Sequence, residues 1–274
     1  MHETRFLCLA VSRRESGNCI AGIDIDSGKW LRPIRSRTRA AFADAELVVE
    51  DNHTHQPRFM APLDLLSMPL EEYAGTNSQP ENWVVAPVFF ENPAVVLRQC
   101  TGSRTVQFLL SHADGSESLL HSASDSLHAD EFADRMLSHS LSLVQPADLA
   151  WKVCPSSKYP GRVQVRAEFH FGKLAYSLVV TDPNWEEKCH RAGIGIHRHS
   201  AVATAGSDLV FLTVSLAAVA FHGLHYKLVA GVVELPVPAA PPDAVAAATS
   251  ARYTSTQHGH SQGVSGTAGQ RFAR

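Results

Sequence analysis

The sequence predicts a mainly β protein built as two small barrels, and three observations predict it. Apolar and polar residues alternate with a period of two in one run after another. Gly, Pro, Asp and Ser gather between those runs, where turns belong. The pattern stops at Leu235, and no large apolar run follows it. With 274 residues, 45% of them hydrophobic, the chain is long enough for one large domain or two small ones with a real core.

Taken in order, residues 6–11 form a short apolar run. Residues 19–25 alternate, with Ile23 and Ile25 on one face and Asp24 and Asp26 on the other. Asp26-Ser27-Gly28-Lys29 is a turn, and residues 30–34 continue as a strand that Pro33 places at an end or an edge. Residues 47–50, 63–68, 83–90 and 94–99 are further strand candidates. The stretch 111–127, rich in Ser, His, Asp and Gly, reads as a surface loop. Residues 129–141 make the best helix. Asp130, Glu131 and Asp134 face out, and Phe132, Met136 and Leu137 supply an apolar stripe. A second β unit follows. Residues 162–171 put Val163, Val165, Ala167 and Phe169 on one face; residues 174–181, 209–216 and 226–234 complete it, the last two as near-continuous apolar runs suited to central strands. The expected division is 1–145 for the first barrel with its connecting helix, 146–235 for the second, and 236–274 for a tail. That tail is rich in Pro, Ala, Ser and Gly. It lacks the apolar surface needed to offset ordering entropy and is expected to be disordered.

Charge is divided unevenly. Residues 5–39 carry 8 Lys+Arg and 3 Asp+Glu, whereas residues 40–150 carry 4 and 16, so a net charge of -3 hides a split of +5 against -12. A hairpin that ends in Lys29-Trp30-Leu31-Arg32 therefore suggests a local anion site, with Trp30 to stack on a base and the cations to meet phosphate. Arg13, between two strands, extends that reading; the plain alternative is a solvated turn. Trp30 also suits a barrel core, with Arg32 pairing to a carboxylate from 40–150. Glu81 and Asn82, ahead of a strand, suit either a base edge or ribose hydroxyl, or turn hydrogen bonds. Asp182-Pro183 with Glu186 behind it is a helix start, Asp as N-cap and Pro at the first position; the ligand reading instead makes Asp182 an acceptor and Trp185 a stacking platform. Lys227 reads as a phosphate contact or as an ordinary strand start.

Other chemistry finds little support. Fifteen histidines include His53, His55, His197, His199, His258 and His260 in His-x-His pairs, yet neither these nor Cys189-His190 has zinc spacing, so no metal and no cofactor is expected. Ser215 and Cys189 lack a nucleophile context, and no catalytic motif stands out. The five scattered cysteines suit reduced thiols and a cytoplasmic setting. No apolar run approaches a bilayer span, and the polar residues at 2–5 argue against a signal peptide.

The strings CLAVSRRESGNCIAG, KWLRPI, QPENW, SLVVTDPNWEEKC, FLTVSLAAVA and HYKLVAGVVEL, in that order from residue 7 to residue 234, resemble the dual OB-containing domain of bacterial proteins. The resemblance implies two OB-like barrels and a binding module associated with conflict systems, its ligand nucleic acid or a nucleotide, with no catalytic residues. Three readings follow. The first is a non-catalytic module for a nucleotide or short single strand, because a broad basic surface for duplex DNA is missing. The second is a nucleotide- or nucleic-acid-processing enzyme with a site near Asp182 and Glu186. The third is a protein–protein interaction module.

Overall fold

The computed structural model describes residues 1–14, 17–51, 54–91, 94–132, 136–156 and 160–237. The expected tail, apart from residues 236 and 237, lies outside the described residues. Eight strands make the first sheet: β1 His2–Arg14, β2 Gly17–Asp24, β3 Trp30–Ile34, β4 Val48–Asp51, β5 Pro57–Phe59, β6 Asp64–Tyr73, β7 Asn82–Val85 and β8 Ala94–Gln99. They hydrogen-bond in the order β1-β2-β3-β7-β6-β8-β4-β5, and β1 also pairs with β6. That last pairing joins β1, β2, β3, β7 and β6 into a closed five-stranded barrel. Closure removes the open edges these strands would otherwise present. Phe6, Ile20, Leu31, Phe42, Leu66, Met68 and Val85 fill it. Each large buried side chain of this kind contributes about 1.5–3 kcal/mol.

Helix α1, Ser103–His112, leads out of the barrel. Strands β9 Ser126–His128, β10 Leu141–Val144, β11 Ala147–Pro155, β12 Val163–Phe171 and β13 Leu174–Val180 follow, then α2 Pro183–Ala192, β14 Gly195–Arg198, α3 His199–Val202, β15 Leu209–Leu216 and β16 Leu224–Leu235. The second sheet runs β10-β15-β16-β13-β12-β11-β14, with β9 on β16. Its core holds Trp151, Val165, Phe169, Tyr176, Val214 and Val229. The chain is thus mainly β, as the alternation implies, and it is built as a five-stranded barrel plus a second sheet.

Strand β1 joins the two. Leu7 and Leu9 share a core with Phe211, Val233 and Leu235 of the second sheet, and the Thr213 hydroxyl donates to the Leu9 carbonyl at 2.9 Å. Gly231 sits at this crossing: a Cβ there would lie 2.3 Å from the Leu9 oxygen and 2.7 Å from the Ala10 Cα, so only glycine fits.

Three expectations change. The strand expected at 83–90 ends at Val85, and Pro87–Phe90 is a 3-10 turn with Pro87 at its first position. The stretch 129–141 is not a continuous helix: Ala129–Phe132 is one 3-10 turn, residues 133–135 lie outside the described residues, and Leu141–Val144 is strand β10 of the second sheet. Of the expected stripe Leu137 is buried but Met136 is 49% exposed; at the end of the stretch β15 offers a ladder to Leu141, and pairing overrides helical spacing. The helix instead forms at Ser103–His112, where Val106 and Leu109, three apart, face the shared core. The presumed surface loop also carries core residues. Leu119 and Leu120 are 0% and 1% exposed and pack on the second sheet.

Candidate functional site

An open cavity of about 580 Å³ lies on the first barrel. It is walled by His2 and Thr4 of β1, Asp24 and the turn after it, Lys29, Trp30 and Leu31 of the β3 segment, Leu70 and Tyr73 of β6, Pro80, Glu81 and Trp83 around β7, and Ser138 and His139. The turn places Lys29. The Asp24 carboxylate accepts from the Asp26 amide at 3.0 Å, the Gly28 amide donates to the Asp24 carbonyl at 2.8 Å, and Gly28 has φ +69°. Lys29 is consequently exposed at the mouth. Trp83 is the centre of a ring cluster. His2 meets it edge-on with centroids 5.1 Å apart, and Tyr73 does so at 5.3 Å. Tyr73 is 48% exposed, so part of its ring is open to a ligand.

Of the residues singled out in the sequence, this groove brings together Lys29, Trp30 and Glu81. It adds His2, Tyr73, Trp83 and His139, which sequence reasoning missed. One signal for Trp83 was present: on an alternating strand Glu81 and Trp83 share a face and Asn82 opposes it. His2, Tyr73 and His139 come from distant segments, and no local pattern marks them.

The other named residues lie elsewhere. Arg32, expected at the ligand surface, is 8% exposed. Its guanidinium donates to Glu81 Oε1 from Nε at 3.2 Å and from Nη2 at 2.9 Å, to Ser140 Oγ at 2.9 Å and to Ser215 Oγ at 3.3 Å. Glu81 is 6% exposed, and its carboxylate also accepts from the Ser140 amide at 3.2 Å and from the Ser140 hydroxyl. The plain reading, Arg32 with a carboxylate from 40–150, is the one the geometry bears out. Asn82 is fully buried, its Nδ2 3.4 Å from Gln79 Oε1. Arg13 is exposed but is not among the groove residues; its amide donates to the Thr181 carbonyl at 2.7 Å and its charge lies beside Glu186. It lies eleven strand steps along β1 from His2, up to about 36 Å at the strand rise.

Asp182 caps α2 as its Asp-Pro step predicts, accepting from the amides of Asn184 and Trp185 at 3.0 and 3.1 Å and from Val232 at 3.0 Å. Burial pushes its carboxyl up, and those amides oppose the shift. Trp185 is 3% exposed, against Trp151 at 4.9 Å and His199 at 5.7 Å, with the Lys188 ammonium 4.4 Å from its ring centre. Lys227 is 1% exposed. Its Nζ donates to the Ser122 and Ser124 carbonyls at 2.6 and 2.8 Å, and burial pulls its pKa down to about 8. Asp182, Trp185 and Lys227 are therefore internal fittings of the second sheet. The enzyme reading near Asp182 and Glu186 loses its acceptor to the helix cap, and burial raises the Cys189 thiol to about 12, away from nucleophilic use.

A closed five-stranded barrel joined to a second β sheet defines a mainly β, barrel-containing fold. The chain belongs to the dual OB-containing domain family, whose model matches residues 4–232. No curated protein and no solved structure matches the chain. No helix among the described residues is long and apolar enough to cross a membrane.

Proposed function

We propose that the chain binds a nucleotide or a short single strand of nucleic acid in the groove of the first barrel, without catalysis. One observation carries the reading: Tyr73, Trp83 and Trp30 line one cavity with the exposed Lys29 at its mouth. OB folds stack bases on aromatic rings and meet phosphate with cations, and the family membership supports that use. The net charge of -3 favours a local site over a broad duplex-binding surface. Five unpaired cysteines suit a cytoplasmic protein. The test is a titration of the parent, Tyr73→Ala and Lys29→Ala with AMP, GMP, UMP and fluorescent dT10 and rU10. Saturable binding by the parent that both variants weaken supports the reading. Binding that neither variant changes places the ligand elsewhere, and no binding by the parent to any probe overturns the reading.

A protein-contact reading has one observation of its own. Ile194, just before β14, and Ile196 within it are 69% and 65% exposed, and β14 is the outermost strand of the second sheet. A concentration-dependent association abolished by Ile196→Lys would favour it, and a monomer at all concentrations would count against self-association.

A further inference from the structure

We propose that the buried Arg32–Glu81 pair is a positioning device that sets the shape of the groove and ties it to the second sheet; this rests on the groove being the binding site. Glu81 itself lines the cavity, and its carboxylate holds the amide and hydroxyl of Ser140. Ser138 and His139, the two residues before Ser140, form another wall of the same cavity. The Ser140 carbonyl accepts from the Leu216 amide at 2.9 Å, and Arg32 reaches Ser215 Oγ at 3.3 Å. Arg32 follows Trp30 and Leu31 on β3, and its own amide donates to the Glu81 carbonyl at 2.9 Å. One guanidinium thus joins the Glu81 wall of the groove to Ser140, next to the 138–139 wall, and to the C-terminal end of β15, segments up to 183 residues apart.

Stability alone does not require an ion pair here. Well-packed apolar residues commonly replace a buried pair without loss of fold, whereas a planar guanidinium fork adds direction that apolar contacts lack. Side-chain relative exposures of 9% and 4% also keep the pair from touching a ligand phosphate directly through Arg32. Its effect on binding must then pass through Glu81, Ser140 and His139.

The experiment compares the parent, the double variant Arg32→Met with Glu81→Leu, and Tyr73→Ala. Unfolding midpoints, affinity for AMP and fluorescent dT10, and hydrogen exchange of the 138–140 amides without ligand are measured. The double variant is expected to unfold within about 5 °C of the parent, to exchange these amides at least tenfold faster, and to bind about tenfold more weakly. Should it not fold, Ser140→Ala, which removes the hydroxyl shared by Arg32 and Glu81, is expected to show the same loosening at about threefold. Parent-like exchange at 138–140 in a folded variant overturns the positioning proposal. Parent-like affinity in that variant overturns it too, provided Tyr73→Ala still weakens binding. If Tyr73→Ala binds as the parent does, the groove reading has failed instead, and the ligand-independent exchange result still decides the mechanical claim.

Discussion

The groove of the first barrel and the interior of the second sheet draw on the same residue types, and the two use them oppositely. Each has tryptophan, lysine and a carboxylate. Inside the second sheet, Trp185 packs against Trp151 and His199, Lys227 is held by two carbonyls elsewhere, and Asp182 by three amides. At the groove, Lys29 and Tyr73 are exposed, while the Arg32–Glu81 pair is buried and hydrogen-bonded. The difference teaches that a Trp-Lys-acid grouping says nothing about use until its partners are known. A side chain buried and packed from within is architecture, and only one that reaches solvent can recognise something else.

The comparison would break most visibly at Arg32. Arg32→Ala leaves the buried Glu81 charge without its cation, with an expected loss of about 3–5 kcal/mol in chemical denaturation. A loss under 1 kcal/mol would mean that water reaches the Glu81 carboxylate. Asp182→Asn should cost about 1–3 kcal/mol, because an amide NH₂ would confront a backbone amide that the carboxylate now satisfies. Binding at the groove should not change; a variant that is stable yet loses ligand would move the site to the second sheet. Tyr73→Ala is expected to cost about 1–3 kcal/mol of binding and under about 0.5 kcal/mol of stability, read by titration and by thermal unfolding.

Two smaller effects sharpen the contrast. Lys227 has a folded pKa of about 8, below the ordinary 10.5. The unfolded chain therefore holds the extra proton between those values, and stability gains a positive slope with pH there. Relative to Lys227→Met, the parent should grow more stable as pH rises from 7.5 to 9.5; a flat difference would show that the ammonium is solvated. Lys29→Ala should leave the midpoint unchanged and reduce the salt slope of single-strand binding by about 0.7. An unchanged slope would exclude Lys29 from phosphate contact.

Strand β3 was legible at its bounds, as were β8 and β15, because alternation and turn residues are local properties. The Asp182 cap was legible for the same reason: Asp-Pro at a helix start works within three residues. Helix α1 was missed although Val106 and Leu109 carry its spacing, and 129–141 was given a helix because its stripe suits one and its strand partner is distant in sequence.

By itself the sequence determined the β character, the main strands, the family and the presence of a cation–aromatic hairpin, since each depends on neighbours a few residues away. Only the tertiary structure decided which of those polar groups look outward. Arg32 finds Glu81 49 residues on and Ser215 183 residues on, and Lys227 finds Ser122 105 residues back. Burial and satisfaction are properties of such remote pairs. A period-two pattern specifies a face of a strand, but the chain segment that covers that face is chosen by the packing of the whole.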